Sequence, residues 1–434
     1  MPRRPRPTRS ARASAGGAIV AIDFGTSNST AGYPSAAGPV LVPLEADHAT
    51  IPSAIFFNTE DECIQFGRSA IESYTQHYEG RLLRALKSVL GSALIEETTP
   101  VGNQRIAFKD IIGLFLRHLK ARAEAGMGAA AEAVVLGRPV HFVDDDDARD
   151  RAAQDQLEAI AREAGFKQVD FQYEPIAAAL DYEAGIDAEE LALIADLGGG
   201  TADISIVRVS PARHLKADRK ADVLANAGVH IGGTDYDKRL SLDQVMPHLG
   251  YRSHHRLHPD RELPAPVYFD LATWHRIVLL NDNRTASLLK ELHHVAAQPA
   301  LVHRLARVIR ERTGHQLAGD VETAKIALSD AANVALALPY VDDGLVVELS
   351  RAAFERATGA ETEKIAASIH ACLNQAGVPA TAITTLFLTG GTSAIPSVRA
   401  ACRASVPNAR LVEGDRFGSV GLGLTIHAGV RAHG

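Results

Sequence analysis

The chain has 434 residues, which is enough for two to four compact lobes. Hydrophobic residues make up 46% and charged residues 22%, an ordinary globular balance, and no apolar run is long enough to cross a bilayer. A net charge of −7 argues against nucleic acid as the main partner, because its phosphates require a basic surface. We therefore expect neither nucleic acid nor a membrane as a partner.

The cysteines and the first residues bear on the compartment. Three cysteines lie far apart without a C-x-x-C pair, so the sequence predicts neither a zinc site nor a disulfide framework. Residues 1–17 are rich in Arg, Pro and Ser and lack the apolar core of a secretory signal, so we expect a disordered basic tail. These features favour a reducing cytoplasm.

The first predicted element is a strand that ends in an aspartate and turns through small residues. IVAIDFGTSNST places Asp23 at the tip of the strand. The turn that follows contains Gly25, Thr26, Ser27 and Asn28. Strand patterns continue into GPVLVPLE, which predicts a hairpin followed by a meander.

Residues 62 to 120 have a mostly helical pattern. RLLRALKSVLG and DIIGLFLRHLKARA both carry apolar residues at helical spacing. AEAVVLGRPVHFV then predicts a buried strand, and the four aspartates after it are explained by capping and the dipole of the helix they begin. VDFQYEPIAAALDYEAG predicts a strand that runs into a helix, with Glu174 and Pro175 at the junction.

A second strand with an aspartate at its tip repeats the first pattern. LALIADLGGGTADISIV places Asp196 at the strand end. The residues that follow are Gly198, Gly199, Gly200, Thr201 and Asp203. Since alternation resumes in ISIVRV, the element is a hairpin, which excludes a P-loop with its helix-opening Lys. The repeat predicts two duplicated α/β lobes.

The rest of the chain contains two more Gly pairs and a helical block. NAGVHIGGTDYDKRL holds one pair, and residues 244–320 are largely helical around Trp274. In YRSHHRLH, His254 and His258 would share a helix face, but no Cys or carboxylate completes a metal set, so we expect a surface cluster. LFLTGGTSAIP places the last Gly pair after an apolar strand, where it would close over a nucleoside.

Together these turns predict a nucleotide clamp. Two Gly hairpins with converging backbone N–H groups would hold a polyphosphate from both sides. Asp23, Asp196 and Glu174 stand at strand ends, where they would hold a hydrated Mg²⁺. Water near Glu174 or Asp203 would attack the γ-phosphate in line. The predicted reaction is ATP hydrolysis, or phosphoryl transfer if another hydroxyl replaces the water.

The order of AIDFGTSNST, YEPIAAAL, IADLGGGTADIS, HIGGTDYD, ETAKIALS and LTGGTSAIP resembles the nucleotide-binding domain of the DnaK-type heat-shock-protein 70 family. The resemblance covers residues 18 to about 427, and phrases such as FDLATWHRI look like the short YegD-type branch. It implies an α/β actin-like ATPase fold, with two duplicated ribonuclease-H-like lobes around a central nucleotide cleft and helical insert subdomains. The expected domains are a tail at 1–17, a first lobe at 18–190 with an insert at about 46–120, and a second lobe at 191–427 with a helical insert at about 240–320.

The resemblance also implies ATP or ADP with Mg²⁺ as the bound group. Asp23, Glu174 and Asp196 would hold the waters of Mg²⁺, while Thr201 and Asp203 would orient the attacking water. The residues that would hold the phosphates are Gly25, Thr26, Ser27, Asn28, Gly198, Gly199, Gly200, Gly232 and Gly233. The residues that would hold the ribose and the base are Glu322, Lys325, Ser329, Gly390, Gly391 and Thr392.

Several departures from the family bear on activity. The family has a catalytic lysine a few residues after the FG that corresponds to residues 66–67, and this sequence has none there. Arg84 or Lys87 from the next segment is a candidate replacement. The family's two adenine-binding arginines are replaced by Ile326 and Ala394. We therefore expect slow or absent hydrolysis and weaker adenine binding. We also expect the chain to lack a peptide-binding half, because no linker pattern follows LGLTIHAGV.

The sequence favours an Hsp70-like ATPase switch, in which nucleotide closes the cleft and a protein partner, not identified by the sequence, reads the changed surface. Three alternatives stay open: a nucleotide-binding regulatory module with little or no hydrolysis, a small-molecule kinase of the sugar-kinase type, and an actin-like filament. Phosphate release without an added acceptor separates the ATPase from the kinase.

Overall fold

The structure is a computed structural model that describes residues 18–76, 78–143, 146–213, 216, 218–414 and 418–433. The predicted tail at residues 1–17 lies outside the described residues. The strands are β1 (Ala18–Phe24), β2 (Asn28–Ser35), β3 (Gly38–Leu41), β4 (Thr50–Pro52), β5 (Ala54–Asn58), β6 (Cys63–Phe66), β7 (Gly80–Arg84), β8 (Thr98–Val101), β9 (Gln104–Ala107), β10 (Ala131–Arg138), β11 (Gln168–Tyr173), β12 (Glu190–Leu197), β13 (Ala202–Val209), β14 (Val223–Val229), β15 (His254–His255), β16 (His258–Glu262), β17 (Asn333–Ala337), β18 (Val346–Ser350), β19 (Thr385–Thr389) and β20 (Arg410–Glu413). The helices are α1 (Gly67–Thr75), α2 (Phe108–Met127), α3 (Asp147–Glu163), α4 (Glu174–Glu183), α5 (Gly233–Leu240), α6 (Pro266–Leu271), α7 (Asn283–Val295), α8 (Pro299–Arg310), α9 (Gly314–Asp330), α10 (Arg351–Ala357), α11 (Gly359–Ala376), α12 (Pro396–Ser405) and α13 (Ser419–His433).

Two central sheets have the same strand order. The first runs β11-β10-β1-β2-β3, with β4 beside β2, and the second runs β20-β19-β12-β13-β14. In each sheet the central strand, β1 or β12, is parallel to one neighbour and antiparallel to its hairpin partner. The predicted duplication of two α/β lobes is therefore confirmed. We call the lobe built on the first sheet lobe I and the lobe built on the second sheet lobe II.

The central strands are buried because helices cover both faces of each sheet. In lobe I, Val20, Ile22 and Phe24 of β1 pack in one core with Ile111 and Phe115 of α2. The apolar face of α2 follows the predicted helical spacing, and its outer face is polar. A strand covered on both sides needs a nearly continuous apolar run, and the sequences around Asp23 and Asp196 have this property.

Helices α4 and α13 join the lobes. Helix α13 packs on β1 and β2, although it follows the last strand of lobe II. Helix α4 packs on strands of both sheets, β10 and β11 in lobe I and β12 and β13 in lobe II. The two helices are in close contact, since a Cβ at Gly423 would lie 1.8 Å from the Ala177 carbonyl oxygen. A third core cluster, which includes Ala21, Ile194 and Leu424, lies around them.

The insert of lobe I differs from the helical pattern expected for it. The predicted helix at RLLRALKSVLG is wrong, because the segment forms β7 and a short 3₁₀ turn. Leu82 and Leu83 pair with Phe56 and Ile55 of β5, and this tertiary pairing outweighs the helical spacing. The strand ends sharply at Ala85, whose φ of 54° lies in the left-handed region.

The insert of lobe II combines helices with one exposed hairpin. The histidines of YRSHHRLH lie on β15 and β16 and not on a helix, and the rings of His255 and His258 are 4.9 Å apart. Helices α6, α7 and α8 pack in the lobe II core beside this hairpin. Within the described ranges, no helix has both the length and the apolar character that crossing a bilayer requires.

Candidate functional site

The turns of the two central hairpins lie against each other. A Cβ added to Gly199 would lie 2.3 Å from the Ser27 hydroxyl oxygen, so the turns touch between the lobes. The first turn is fixed by Ser53, whose hydroxyl donates to the Gly25 carbonyl at 2.7 Å and whose N–H donates to the Ser27 carbonyl at 2.9 Å. Thr26 is partly exposed in this turn, and Asn28 begins β2 opposite Pro52. The structure thus brings both predicted phosphate turns to one place.

The other predicted Gly segments are bonded to the second turn. The Gly233 N–H donates to the Gly198 carbonyl at 3.1 Å, and the Thr392 hydroxyl donates to the same carbonyl at 2.7 Å. The Thr234 N–H donates to the Gly199 carbonyl at 2.8 Å. The segments around residues 232 and 390, which are far apart in sequence, therefore meet at the Gly198–Thr201 turn.

Two of these glycines have no room for a side chain. A Cβ at Gly232 would lie 2.3 Å from the Gly200 nitrogen and 2.4 Å from the Gly199 carbonyl carbon. Gly390 has a φ of 80°, and a Cβ there would lie 2.3 Å from the Leu197 carbonyl oxygen. By contrast, no atom lies within 4 Å of a Cβ position at Gly200. The close approach of the backbone explains the Gly at 232 and 390.

Four carboxylates gather beside the turns. Asp23 and Asp196 end β1 and β12, Asp203 pairs with Asp196 across the second hairpin, and Glu174 begins α4. A Cβ at Gly137 would lie 3.5 Å from Asp23 Oδ1 and 3.4 Å from Glu174 Cγ, so these two acids lie on the same side of β10. The Thr201 hydroxyl donates to Asp203 Oδ2 at 3.0 Å.

Burial and mutual repulsion raise the pKa values of two of these acids. Burial, aided by the charge of Glu174, raises the pKa of Asp23 to about 7. Burial, aided by the charges of Asp203 and Glu174, raises the pKa of Asp196 to about 8. Lys87 opposes both shifts but does not cancel them. The site therefore has an excess of negative charge when these acids ionise.

Lys87 reaches the carboxylates from lobe I. Its Nζ lies 2.5 Å from Glu174 Oε1. Burial would lower the pKa of Lys87, but the charges of Glu174 and Asp23 outweigh burial and raise it. Of the two replacement cations considered from the sequence, Lys87 pairs with a carboxylate of the group, whereas Arg84 stacks on Trp274. The sequence alone did not decide between Arg84 and Lys87, because its apolar spacing predicts a helix for this segment.

Of the three predicted residues on α9, Lys325 contacts the turn segments, while Glu322 is exposed and Ser329 is half-buried. Lys325 is buried, its Nζ lies 2.7 Å from Asp237 Oδ1, and it donates to the Gly233 carbonyl at 3.2 Å. Burial raises the pKa of Asp237 to about 6, although Lys325 acts to lower it. Sequence reasoning missed Asp237, which stands in the predicted GGTDYD segment.

The position next to Lys325 on α9 is apolar and open. Ile326 is 60% exposed on this face, and Ala394 ends the short 3₁₀ turn at Gly391–Ala394. The predicted base contacts Gly390, Gly391 and Thr392 belong to this turn or precede it. Neither of the two positions at which the resemblance places a base-binding cation therefore carries a charge.

The carboxylates fit a hydrated divalent cation better than a bare one. Across the described stretches of the chain, no group of three or more His, Cys, Asp or Glu side chains converges closely enough to bind a metal ion directly. Asp23, Glu174 and Asp196 nevertheless interact electrostatically with one another, and Lys87 supplies the opposite charge. Mg²⁺ keeps several of its waters, and such waters would span the distance to these oxygens.

The raised carboxyl pKa values predict a pH-dependent stability. A carboxyl whose pKa is raised by folding stabilises the fold below its unfolded value and loses that contribution as pH rises through the folded value. The folded-state pKa values are about 7 for Asp23 and about 8 for Asp196. The Tm measured without Mg²⁺ should therefore decrease as the pH is raised from 5 to 9. Thermal unfolding across this range measures it. Asp196→Asn should flatten the profile, whereas the exposed Asp260→Asn should not; equal profiles for all three proteins would contradict the assignment.

Comparison with known families agrees with this geometry. The two duplicated sheets, with Gly-rich turns that meet between them, define an ATP-binding protein with the actin-like ATPase fold. A family model described as Hsp70 protein matches residues 19–249 and 294–432. The match covers most of the chain, and the protein belongs to the Hsp70 family. Residues 250–293, which contain β15, β16, α6 and Trp274, lie outside the match.

Proposed function

We propose that this protein is a Mg²⁺-dependent ATPase switch that hydrolyses ATP to ADP and phosphate between its lobes. The observation that carries the proposal is the meeting of Lys87, Glu174, Asp23, Asp196 and Asp203 beside the two touching Gly turns. The state of the nucleotide would set how closely the lobes meet, and a protein partner would read that surface.

The side chains divide the work of hydrolysis. Backbone N–H groups of the two turns bind the phosphates, and the Lys87 ammonium compensates charge on the transferred phosphoryl group. Asp203, fixed by the Thr201 hydroxyl, accepts a hydrogen bond from the attacking water and orients it. Glu174 holds Lys87 in place. Bound Mg²⁺ would add charge neutralisation at the phosphates, and Asp23, Glu174 and Asp196 would hold its waters.

A regulatory module that binds nucleotide without turnover is the second candidate. The uncharged residues Ile326 and Ala394 favour it, because uncharged side chains bind a base less firmly than stacked cations do. We further infer a cytoplasmic location and membership of the short YegD-type branch, both from the sequence features described above.

Binding and phosphate release on Mg·ATP addition test the proposal. The wild-type protein should bind labelled ATP and release phosphate without an added acceptor, and EDTA should stop the release. Asp203→Asn should keep binding but lose about 100-fold in turnover, because the water is no longer oriented. Asp260→Asn, at an exposed hairpin position, is the matched control. Binding without turnover would favour the regulatory module, and no binding would overturn both candidates.

A further inference from the structure

A cation and an aromatic ring meet across the cleft between the lobes. The guanidinium of Arg84, at the end of β7 in lobe I, lies 4.6 Å from the ring centre of Trp274. Trp274 begins a 3₁₀ helix, Trp274–Leu280, in the insert of lobe II. Such a stacking contact is attractive because the ring face is negative, and it strengthens where water is excluded.

A second aromatic pair lies beside the first. The ring of Tyr74 in α1 of lobe I meets the ring of His315 in α9 of lobe II, edge to face, with centres 4.8 Å apart. The His315 ring is also 4.8 Å from the Trp274 ring, and its Nε2 donates to the Trp274 carbonyl at 3.1 Å. Two side chains from each lobe thus form one continuous contact.

The contact borders the part of the candidate site formed by α9, because His315 lies on the same helix as Glu322 and Lys325. Burial lowers the pKa of Arg84, while the nearby carboxylates of Glu322 and Asp237 act to raise it, which places both acids close to the guanidinium. The left-handed turn at Ala85 separates Arg84 from Lys87, so that one residue faces Trp274 and the other faces Glu174. A strained backbone at a non-glycine residue, with a cation on either side, indicates that this local geometry serves a function.

Trp274 belongs to the part of the chain that the Hsp70 family model does not match. Residues 250–293 fall between the two matched ranges. The partner residues Arg84, Tyr74 and His315 all lie inside matched ranges. The contact therefore joins one ring outside the matched ranges to three side chains inside them.

We propose that Arg84, Trp274, Tyr74 and His315 form a clasp across the cleft, and that opening this clasp limits the release of bound nucleotide. The proposal rests on the proposed nucleotide site between the lobes. A nucleotide held by turns from both lobes leaves when the lobes separate at their mouth, and separation breaks the Arg84–Trp274 contact. Loss of one such contact should speed release by roughly threefold to thirtyfold.

The clasp itself can be tested without nucleotide. Trp274 is the single tryptophan of the chain, so quenching of intrinsic fluorescence by acrylamide reports the exposure of this ring alone. Arg84→Ala should raise the quenching constant, because the guanidinium no longer covers the ring. Arg81→Ala is the matched control, since Arg81 is an exposed cation on the same strand whose charge also acts on Tyr74. Equal quenching in wild type and Arg84→Ala would overturn the clasp.

The release rate tests the role of the clasp. A ribose-labelled fluorescent ADP, chased with unlabelled ADP, gives the rate without relying on tryptophan. Arg84→Ala and Trp274→Ala should each speed release, and the double variant should be no faster than the faster single variant. Trp274→Phe should restore much of the wild-type rate, because it keeps an aromatic face. Additive effects, or an unchanged rate in Arg84→Ala, would overturn the proposal.

The two tests separate failure of the clasp from failure of the nucleotide site. If the wild-type protein binds no labelled ADP, the proposed function fails, and the release role fails with it. The acrylamide result in the absence of nucleotide still decides whether the four side chains form the contact. If ADP binds and leaves at the same rate from wild type and Arg84→Ala, the nucleotide site stands and the release role is overturned.

Discussion

Lys87→Ala should reduce ATP turnover by about 10²- to 10³-fold, the usual cost of losing one well-placed charge donor at a transferring group. Lys87 Nζ lies 2.5 Å from Glu174 Oε1 and is the cation that lowers the pKa of both Asp23 and Asp196. On the proposed mechanism, Lys87→Ala removes the ammonium that would compensate charge on the phosphoryl group. Single-turnover measurement of phosphate release separates this loss from any change in binding.

The same variant should shift the pH dependence of Mg²⁺ action. Because Lys87 lowers the pKa values of Asp23 and Asp196, its removal should raise both further, and Mg²⁺ should then require a higher pH to bind. Lys109→Ala is the matched control, since Lys109 is an exposed lysine of lobe I paired with Glu96 at 2.9 Å. Turnover within threefold of wild type for Lys87→Ala would rule out the proposed role.

Gly390→Ala should destabilise the protein and abolish nucleotide binding. At a φ of 80° an alanine is strained, and its Cβ would lie 2.3 Å from the Leu197 carbonyl oxygen, so the backbone has to shift. The two costs together should lower the free energy of unfolding by about 2–4 kcal/mol. The shift would also move the neighbouring Asp196, because its Oδ1 is 2.9 Å from the same Cβ position. Urea unfolding and equilibrium binding of labelled ATP measure the two effects.

Gly200→Ala provides a matched control for this prediction. Gly200 is also in a predicted phosphate turn, but its Cβ position has no atom within 4 Å. Its free energy of unfolding should therefore change by less than about 1 kcal/mol. If Gly390→Ala were as stable as Gly200→Ala and bound ATP equally well, the close approach at Gly390 would be unimportant.

Local patterns were sufficient to predict the two central hairpins. An apolar run that ends in an aspartate and a Gly turn, followed by a second strand pattern, specifies strand, turn and strand within a short segment. The positions of Asp23 and Asp196 at strand ends followed directly. The repeated pattern also gave the duplication of the lobes, which the matching strand orders confirm.

The segment around Lys87 could not be assigned in this way. Leu82, Leu83 and Leu86 have a spacing that suits a helix, yet the segment is short and pairs with β5, which lies more than twenty residues earlier. The contacts of Asp237 with Lys325 and of Arg84 with Trp274 likewise join distant parts of the chain. Such pairings depend on the assembled lobes, and no local pattern encodes them.

The packing of α13 on the sheet of lobe I bears on how the chain folds during synthesis. Strand β1 is synthesised long before α13, which begins at residue 419 and covers the sheet of β1. Contacts between segments so far apart in sequence raise the contact order, which slows folding. The face of the lobe I sheet that α13 covers therefore stays bare until α13 has been synthesised. A nascent chain that contains lobe I but not yet α13 would expose the apolar surface around Ala21 and Val135. Aggregation is the greatest risk during this interval, because transiently exposed apolar surface promotes it.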